Sequence, residues 1–525
     1  MSLQSRKRLT HFPARTNFVP VERRSRVAYL LNVIKPVLTL LVLFTMISGT
    51  APALAKSPFG HFHRGAGKAI NTQDKIATIA TTVAGDLLWE DTVDLSGDYD
   101  AAFDVAVEGT RAFVVGAATP SGSSCPGEAP GNCDFYVRAY DLSTGTLLWE
   151  DSVDRVGGTD VAYYVAVNNG TVVVSGVVDS DGTCSSFTAS GNCDFYVRAY
   201  DGATGTVLWE DQVDIAGGFD FARATIGGGW VYAIGWVTTA DGDDDILVRA
   251  YNAATGALQW QDQYDQGGRE VPWDVVVRGN RLYVSGSVSG DATCVPYPFA
   301  GNCDAFVRAY HAPSGTVLWS AQRDLAGGFD EFRAIAVAAG RVYVTGTAAA
   351  DASCDPYNGT GNCNFYVQAY DAFTGAALWD DQFDVAGSDD EAISIGTANG
   401  RVYASGWGSD ASGNPDFLVR AYDGATGTAL WTDLTDTGAG GYDAAFDLKV
   451  RGERVFAVGG GPDFQVRAYD GATGTLVWED QVVDAGGFGF AGAVAVGAGK
   501  VIAVGYGYTE AAGNFDFLVR TYDAH

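Results

Sequence analysis

Histidine, methionine and basic side chains are scarce in this sequence of 525 residues. It contains 5 His and 2 Met, and 33 Lys and Arg stand against 63 Asp and Glu, which gives a formal net charge of -30. Binding to nucleic acids and to anionic membrane surfaces depends on basic side chains. The composition therefore excludes a nucleic-acid reader and a protein attracted to an acidic membrane surface.

The scarcity of histidine and lysine also restricts catalysis. After residue 83 the chain has only Lys449, Lys500, His311 and His525, so acid–base and nucleophilic chemistry would depend almost entirely on carboxylates. We therefore predict no catalytic and no cofactor-binding residues. Hydrophobic residues make up 47% and aromatic residues 12% of the chain, which is too much for a disordered protein.

The first 55 residues predict a secretory signal peptide. A basic lead precedes an apolar run over 36–48, and Ala53-Leu54-Ala55 matches the small-x-small cleavage pattern. The apolar run is short for a bilayer span, although an uncleaved anchor is the alternative. We predict cleavage after Ala55, a linker over 56–83 and no membrane insertion after cleavage. The predicted location is secreted, periplasmic or in the cell envelope.

The eight cysteines form four close pairs in the sequence. The pairs are Cys125 with Cys133, Cys184 with Cys193, Cys294 with Cys303, and Cys354 with Cys363. An even number of cysteines in local pairs predicts four disulfides in an oxidising compartment. A zinc site is the weaker interpretation, because neither a Cys-x-x-Cys spacing nor neighbouring histidines are present.

One sequence unit recurs eight times after residue 84. Its tryptophan appears as Trp89, Trp149, Trp209, Trp260, Trp319, Trp379, Trp431 and Trp478. Its tyrosine appears as Tyr140, Tyr200, Tyr251, Tyr310, Tyr370, Tyr422, Tyr469 and Tyr522. The four longest units are those that contain a cysteine pair, so each predicted disulfide loop is an insertion on a common frame.

Each unit predicts four β-strands. In the second copy these are 161–167, 171–177, 195–200 and 207–213, separated by Asn-Gly and Thr-Gly turns. Eight such units predict an all-β fold, an eight-bladed β-propeller of four-stranded antiparallel blades over 84–525. The last copy stops before its outer strand and the first begins with one, so the N-terminal strand should close the last blade.

The repeated motif resembles a known family. The pattern Ala-x-Asp-x-x-Thr-Gly-x-x-x-Trp, as in Ala139 to Trp149 and Ala199 to Trp209, is similar to the tryptophan-docking motif of pyrroloquinoline quinone (PQQ) repeat propellers, the quinoprotein alcohol dehydrogenase-like family. The resemblance implies either a dehydrogenase using PQQ and calcium or a non-catalytic scaffold. The dehydrogenases carry vicinal cysteines under the quinone, and this sequence has none, which favours the scaffold.

Two sets of acidic residues recur from copy to copy. The first follows the tryptophan and comprises Asp94, Asp154, Asp214, Asp265, Asp324, Asp384, Asp436 and Asp484. These could form a cation-binding ring, but recurrence in every copy favours turn caps. The second opens the inner strand and comprises Asp100, Asp160, Asp220, Glu270, Asp330, Asp390 and Asp443. These could line the channel mouth, although we favour pairing with the buried strand arginines.

Three loops are rich in aspartate and are weak calcium candidates. Two of them contain Asp179 and Asp181, and Asp241, Asp243 and Asp245; the third spans 410–416. Calcium takes clustered oxygen ligands, but no loop fits the EF-hand pattern, so solvated turns are the favoured interpretation. Calcium and PQQ remain the possible cofactors, neither of them favoured.

The loops with disulfides should emerge on the same face as the connections between blades, an acidic face on which we expect a ligand. We predict a non-catalytic, monomeric binding or scaffold module for a protein, glycan or cell-envelope component. The alternative is a PQQ- or calcium-dependent oxidoreductase that uses the channel. An enzyme requires channel residues that depart from the repeat consensus, and the copies stay close to it.

Overall fold

The computed structural model describes residues 84–95, 98–120, 123, 125, 131–186, 190–290, 294, 301–354, 356, 361–436, 442–461, 463–482, 489–509 and 514–525. The predicted signal peptide and linker lie outside these residues. No helix in the described part of the chain is long and apolar enough to cross a membrane.

The regular elements of the described residues are 32 β-strands. They are Leu87–Val93 (β1), Ala101–Glu108 (β2), Arg111–Ala118 (β3), Asp134–Asp141 (β4), Leu147–Val153 (β5), Val161–Asn168 (β6), Thr171–Asp179 (β7), Cys193–Asp201 (β8), Val207–Val213 (β9), Arg223–Gly227 (β10), Trp230–Thr238 (β11), Asp244–Asn252 (β12), Leu258–Tyr264 (β13), Val271–Arg278 (β14), Arg281–Ser289 (β15), Cys303–His311 (β16), Thr316–Arg323 (β17), Glu331–Ala338 (β18), Arg341–Ala349 (β19), Cys363–Asp371 (β20), Ala377–Phe383 (β21), Glu391–Ala398 (β22), Arg401–Ser409 (β23), Pro415–Asp423 (β24), Ala429–Thr435 (β25), Ala444–Arg451 (β26), Arg454–Gly460 (β27), Phe464–Asp470 (β28), Leu476–Val482 (β29), Gly489–Gly497 (β30), Lys500–Thr509 (β31) and Asn514–Asp523 (β32).

These strands form an eight-bladed β-propeller, as predicted. Blades 1 to 6 are the sheets β2–β5, β6–β9, β10–β13, β14–β17, β18–β21 and β22–β25. Blade 7 is β26–β29, and blade 8 is β30–β32 completed by β1, with one bridge joining the two blades. The innermost strands contact one another around the ring, from β2 through β30 and back to β2.

The ring closes through the pairing of the first and last strands. β1 runs antiparallel to β32, with Trp89 opposite Thr521 and Val93 opposite Phe517. This is the split blade that the two ends of the repeat pattern predict. The four strands predicted for the second copy are likewise confirmed, with ends that differ by at most two residues.

Burial explains why these segments form blades. The second strand is buried on both faces, as in β7, because neighbouring blades cover it, whereas the outer strand β9 is largely exposed. Both faces of a central strand must then be apolar, which accounts for the runs of valine, alanine and aromatic residues. The core therefore lies in the layers between blades.

The outer-strand tryptophans join each blade to the next. Trp149 Nε1 donates to the Gly202 carbonyl oxygen at 3.1 Å, and the ring stacks on Tyr200. Gly205 has a φ of +71°, and a Cβ there would lie 2.7 Å from the Trp149 ring, so the turn needs glycine for both reasons. The same bond to a carbonyl is made by Trp89, Trp209, Trp260, Trp319, Trp379 and Trp431.

Candidate functional site

The four predicted disulfides are confirmed, and they stiffen one face of the propeller. The bonds join Cys125 to Cys133, Cys184 to Cys193, Cys294 to Cys303 and Cys354 to Cys363, in blades 1, 2, 4 and 5. Bridges tie Cys133, Cys193, Cys303 and Cys363 to the connection that leads to the next blade. We call these loops and connections the disulfide face.

The aspartates that follow the tryptophans cap turns on this face. Asp154 Oδ1 accepts the N–H of Gly157 at 2.9 Å, and Asp214 and Asp324 accept the equivalent glycine N–H. Asp265 and Asp384 make the same kind of bond. The turn-capping interpretation therefore holds for these five, while Asp484 lies outside the described residues.

The acids that open the inner strands do not line a channel mouth. Asp160 is fully buried, and its two oxygens accept the N–H groups of Arg155 and Asp179. Asp100, Asp220, Asp330 and Asp390 are buried and accept two backbone bonds in the same way. Glu270 and Asp443 are also buried. The five aspartates that accept two backbone bonds hold the connection between two blades.

The arginines in the third strand of the blades do not pair with the acids that open the inner strands, as the sequence analysis favoured. They pair with an aspartate of the preceding blade. Arg138 Nη1 lies 2.9 Å from Asp91 Oδ2, and Tyr140 donates its hydroxyl to the same oxygen at 2.8 Å. Asp91 stands two residues after Trp89 on the outer strand of the preceding blade. The equivalent pairs are Arg198 with Asp151, Arg249 with Asp211, Arg308 with Asp262, Arg420 with Asp381, Arg467 with Asp433, and Arg520 with Asp480.

A signal for this pairing exists in the sequence and was missed. Blade 5 has Gln368 where the other copies have arginine, and the outer strand before it has Ala321 where the others have aspartate. Both partners thus change together in one copy. The Gln368 side chain instead accepts hydrogen bonds from Tyr366 and Tyr370.

The aspartate-rich loops form turns by themselves. Asp179 Oδ1 accepts the N–H groups of Asp181 and Gly182, and Asp181 accepts that of Thr183. Asp241 is exposed and Asp243 accepts the N–H of Asp244. In the loop over 410–416, Asp410 accepts the N–H groups of Ser412 and Asn414. These contacts are those of Asx turns and do not themselves gather cation ligands.

Carboxylates from separate elements do converge at two places on the disulfide face. Asp245, Asp265 and Glu270 each place one oxygen within 4.8 Å of the others, and so do Asp416, Asp436 and Asp443. Asp245 was a calcium candidate within its loop. The two residues that join it come from the turn after β13 and the start of β14, which no local sequence pattern connects.

A cavity of about 530 Å³ lies among the inner strands of the propeller. Its lining includes Asp104, Tyr164, Arg223, Asp274 and Lys449. The residues at the register position of Asp104 in the eight copies are Asp104, Tyr164, Arg223, Asp274, Ala334, Ser394, Asp447 and Ala493. The expectation that channel residues keep the repeat consensus is therefore wrong.

The charged groups of this cavity are engaged with one another or with the backbone. Arg223 lies 2.9 Å from Asp274, and Lys449 lies 2.9 Å from Asp447. Asp104 accepts the N–H groups of Val105 and Val165, and burial raises its pKa to about 6. Each acid has a fixed partner, so the arrangement serves to hold adjacent inner strands together.

Burial shifts the pKa of the capping acids upward. Desolvation raises the pKa of Asp160 and Asp330 to about 8, of Asp220 and Asp390 to about 7 and of Asp100 to about 6, while their backbone N–H donors act in the opposite direction. Burial also raises the pKa of Glu270 to about 8. These carboxyl groups therefore stay protonated up to a higher pH in the folded protein than in the unfolded chain.

The sign of the pH dependence follows from these shifts. Stability contributed by a raised pKa is complete below the unfolded value and is lost as pH rises through the folded one. We expect the free energy of unfolding to fall by at least about 1.4 kcal/mol between about pH 5 and pH 8. Chemical denaturation at several pH values measures this. For Asp160→Asn we expect the free energy of unfolding to decrease less steeply with pH. An increase of the free energy of unfolding between about pH 5 and pH 8 would contradict the prediction.

Comparison with known proteins identifies the family. A family profile described as outer membrane protein assembly factor BamB matches residues 194–297 and 303–509, more than half of the chain. The quinohemoprotein alcohol dehydrogenase from Comamonas testosteroni is 14% identical with a TM-score of 0.51, over 86% of this chain and 78% of that one. A europium-containing methanol dehydrogenase is 12% identical with a TM-score of 0.50, over 83% and 93%.

BamB from Moraxella catarrhalis is 15% identical with a TM-score of 0.47, over 84% of this chain and 99% of that one. No curated protein matches the sequence significantly. At such low identities the two dehydrogenase structures support the propeller fold alone, and fold does not determine function. The chain itself belongs to the PQQ-repeat propeller family described as outer membrane protein assembly factor BamB.

Proposed function

We propose that this protein is an exported, non-catalytic propeller that binds a protein of the cell envelope through its disulfide face. The observation that carries the proposal is the contrast between the channel and this face. The channel cations Arg223 and Lys449 are bonded to Asp274 and Asp447. The disulfide face, in contrast, presents four covalently stiffened loops, and stiff loops lose little entropy when they bind a partner.

The residues of the channel do not fit PQQ. The family resemblance leads us to expect vicinal cysteines under the quinone, whereas each disulfide here joins cysteines eight or nine residues apart. A quinone with several carboxylates would also need cations; of the three that line the cavity, Arg223 and Lys449 are paired with aspartates and Arg451 donates to the Val496 carbonyl oxygen. This disagreement favours a binding role over a dehydrogenase.

The disulfide face carries the capping aspartates. At the opposite face, five of the six basic residues that begin second strands stand opposite an aspartate, as Arg111 stands opposite Asp141. The disulfide face also exposes Val156, whose φ is +53° and which is 66% accessible. An exposed valine in this strained conformation is unusual, and a partner with a basic surface and an apolar anchor would complement it.

Site-specific photo-crosslinking in the native host tests this proposal. A crosslinking residue at Val156 is compared with one at Phe373, which is 64% accessible and lies in a turn on the opposite face. We expect one dominant protein adduct from position 156 and none from position 373. The protein identified in that adduct, once purified, should bind the purified monomeric propeller. Equal adducts from both positions would contradict the proposal.

The alternative functions predict other results. Reconstitution with PQQ and calcium that produces alcohol-dependent dye reduction, lost in Arg223→Ala, would establish the oxidoreductase. Binding to glycan arrays but to no protein partner would replace the protein ligand by a carbohydrate.

A further inference from the structure

We propose that Asp245, Asp265 and Glu270 form a calcium site at the junction of blades 3 and 4. One carboxylate oxygen of each residue lies within 4.8 Å of those of the other two. Asp245 lies in β12, Asp265 follows β13, and Glu270 precedes β14. The site therefore ties three segments of the disulfide face together.

Glu270 is the residue that points to a missing ligand. Its side chain is 0% exposed, and neither carboxylate oxygen has a hydrogen-bond partner. The backbone N–H groups of Gln266 and Ser289 approach the carboxylate closely enough to lower its pKa, but neither oxygen makes a hydrogen bond of ordinary distance and angle. A buried carboxylate without a partner is costly, and a cation held with Asp245 and Asp265 removes that cost.

Comparison with the other blades shows why this position is different. In six other copies an aspartate stands at the position of Glu270, and five of these aspartates accept two backbone N–H bonds, as Asp220 does from Ile215 and Thr238. The longer glutamate does not make these bonds. Ser289 Oγ accepts the N–H of Arg269 at 2.7 Å, so the serine hydroxyl is engaged with the backbone next to the glutamate.

The donors suit calcium. The site offers only carboxylate oxygens, which are hard ligands that Ca²⁺ gathers in sets of 6–8 together with water. Gln263 donates to Asp245 at 2.6 Å, and the N–H of Gly267 donates to Asp265 at 2.6 Å. These bonds orient two of the ligands and leave an oxygen of each for the metal.

The site also stands where other blades carry a disulfide. Cys193, Cys303 and Cys363 begin the third strand of their blades and bridge to the connection leading to the next blade. In blade 3 the first residue of that strand is Asp244, which makes the same bridge to Arg269 and an ion pair with it. A bound calcium ion would cross-link these segments in a blade that has no cysteine.

Calcium binding to the full exported chain tests the proposal. Isothermal titration with CaCl₂ is expected to give a dissociation constant of about 0.1–1 mM, the range of extracellular calcium modules. Glu270→Gln is expected to remove one binding site or to weaken it at least tenfold. Asp241→Asn, an exposed acid of the same loop, is the matched control and should leave that site intact.

Thermal unfolding separates metal binding from a structural role. In EDTA the Glu270→Gln variant should melt at or above the wild-type temperature, because it removes a buried carboxyl group whose oxygens have no hydrogen-bond partner. In calcium, but not in magnesium, the wild type should gain stability that the variant does not gain. Should the Gln variant fail to fold, Glu270→Asp introduces the residue found in six other blades and should also lose the calcium effect. The proposal would be overturned if the calcium titration of Glu270→Gln matched that of the wild type, or if magnesium stabilised the wild type as much as calcium does.

Discussion

Replacing Trp209 by alanine is expected to lower the free energy of unfolding by about 3–5 kcal/mol. The Trp209 side chain is 8% exposed, and its Nε1 donates to the Ala253 carbonyl oxygen of the next blade at 2.8 Å. Its ring lies 5.5 Å from that of Tyr251 and covers Gly256. The substitution removes apolar contact and leaves a cavity at the junction of blades 2 and 3.

The neighbouring Leu208 provides the control for this prediction. Leu208 is 43% exposed on the same outer strand, so Leu208→Ala should change stability by no more than about 0.5 kcal/mol. Chemical denaturation followed by circular dichroism measures both variants under the same conditions. Equal losses in the two variants would show that the tryptophan does not join the blades energetically.

Replacing Arg333 by methionine should cost about 3–5 kcal/mol, because it leaves two buried carboxylates without their cation. Arg333 contacts Glu331 and lies 2.7 Å from Glu391, and both glutamates are 0% exposed. The guanidinium also lies 4.7 Å above the Trp273 ring. The three charges come from blades 5 and 6, so the loss should weaken the contact between these blades.

Two further variants make this prediction specific. Arg155 pairs with Glu210 at 2.9 Å, but both side chains are more than a third exposed, so Arg155→Met should cost only about 0–1 kcal/mol. Adding Glu331→Gln and Glu391→Gln to the Arg333 variant should restore much of its stability, because the unpaired charges disappear. A single Arg333→Met variant as stable as Arg155→Met would contradict the assignment.

Local sequence patterns predicted most of the fold because a propeller repeats one local unit. The tryptophan spacing defined the number of blades, and the outer strand beginning near Leu87 predicted its pairing with β32. The cysteine pairs were predicted for the same reason, since each closes a loop of fewer than ten residues. Residues that contact each other within one unit, or between adjacent units, recur at the spacing of the repeat and can be recognised in the sequence.

The candidate sites were less predictable because they depend on which side chains meet where one blade packs against the next. The partner of Arg138 proved to be Asp91, 47 residues away in the chain, and the acids expected to pair with it cap turns instead. The charges at Asp104, Arg223, Asp274 and Lys449 break the repeat. Their significance appears only when eight inner strands are brought to one axis.

The sequence by itself determined the all-β class, the eight blades, the closure by the first strand and the four disulfides. Each of these depends on hydrophobic alternation, turn residues or short loops, which act over fewer residues than one repeat. The tertiary structure alone decided which acids are buried, which acid each strand arginine meets and which three carboxylates converge at Glu270. Those outcomes depend on how one blade packs against the next, and packing between blades brings together residues that no local pattern connects.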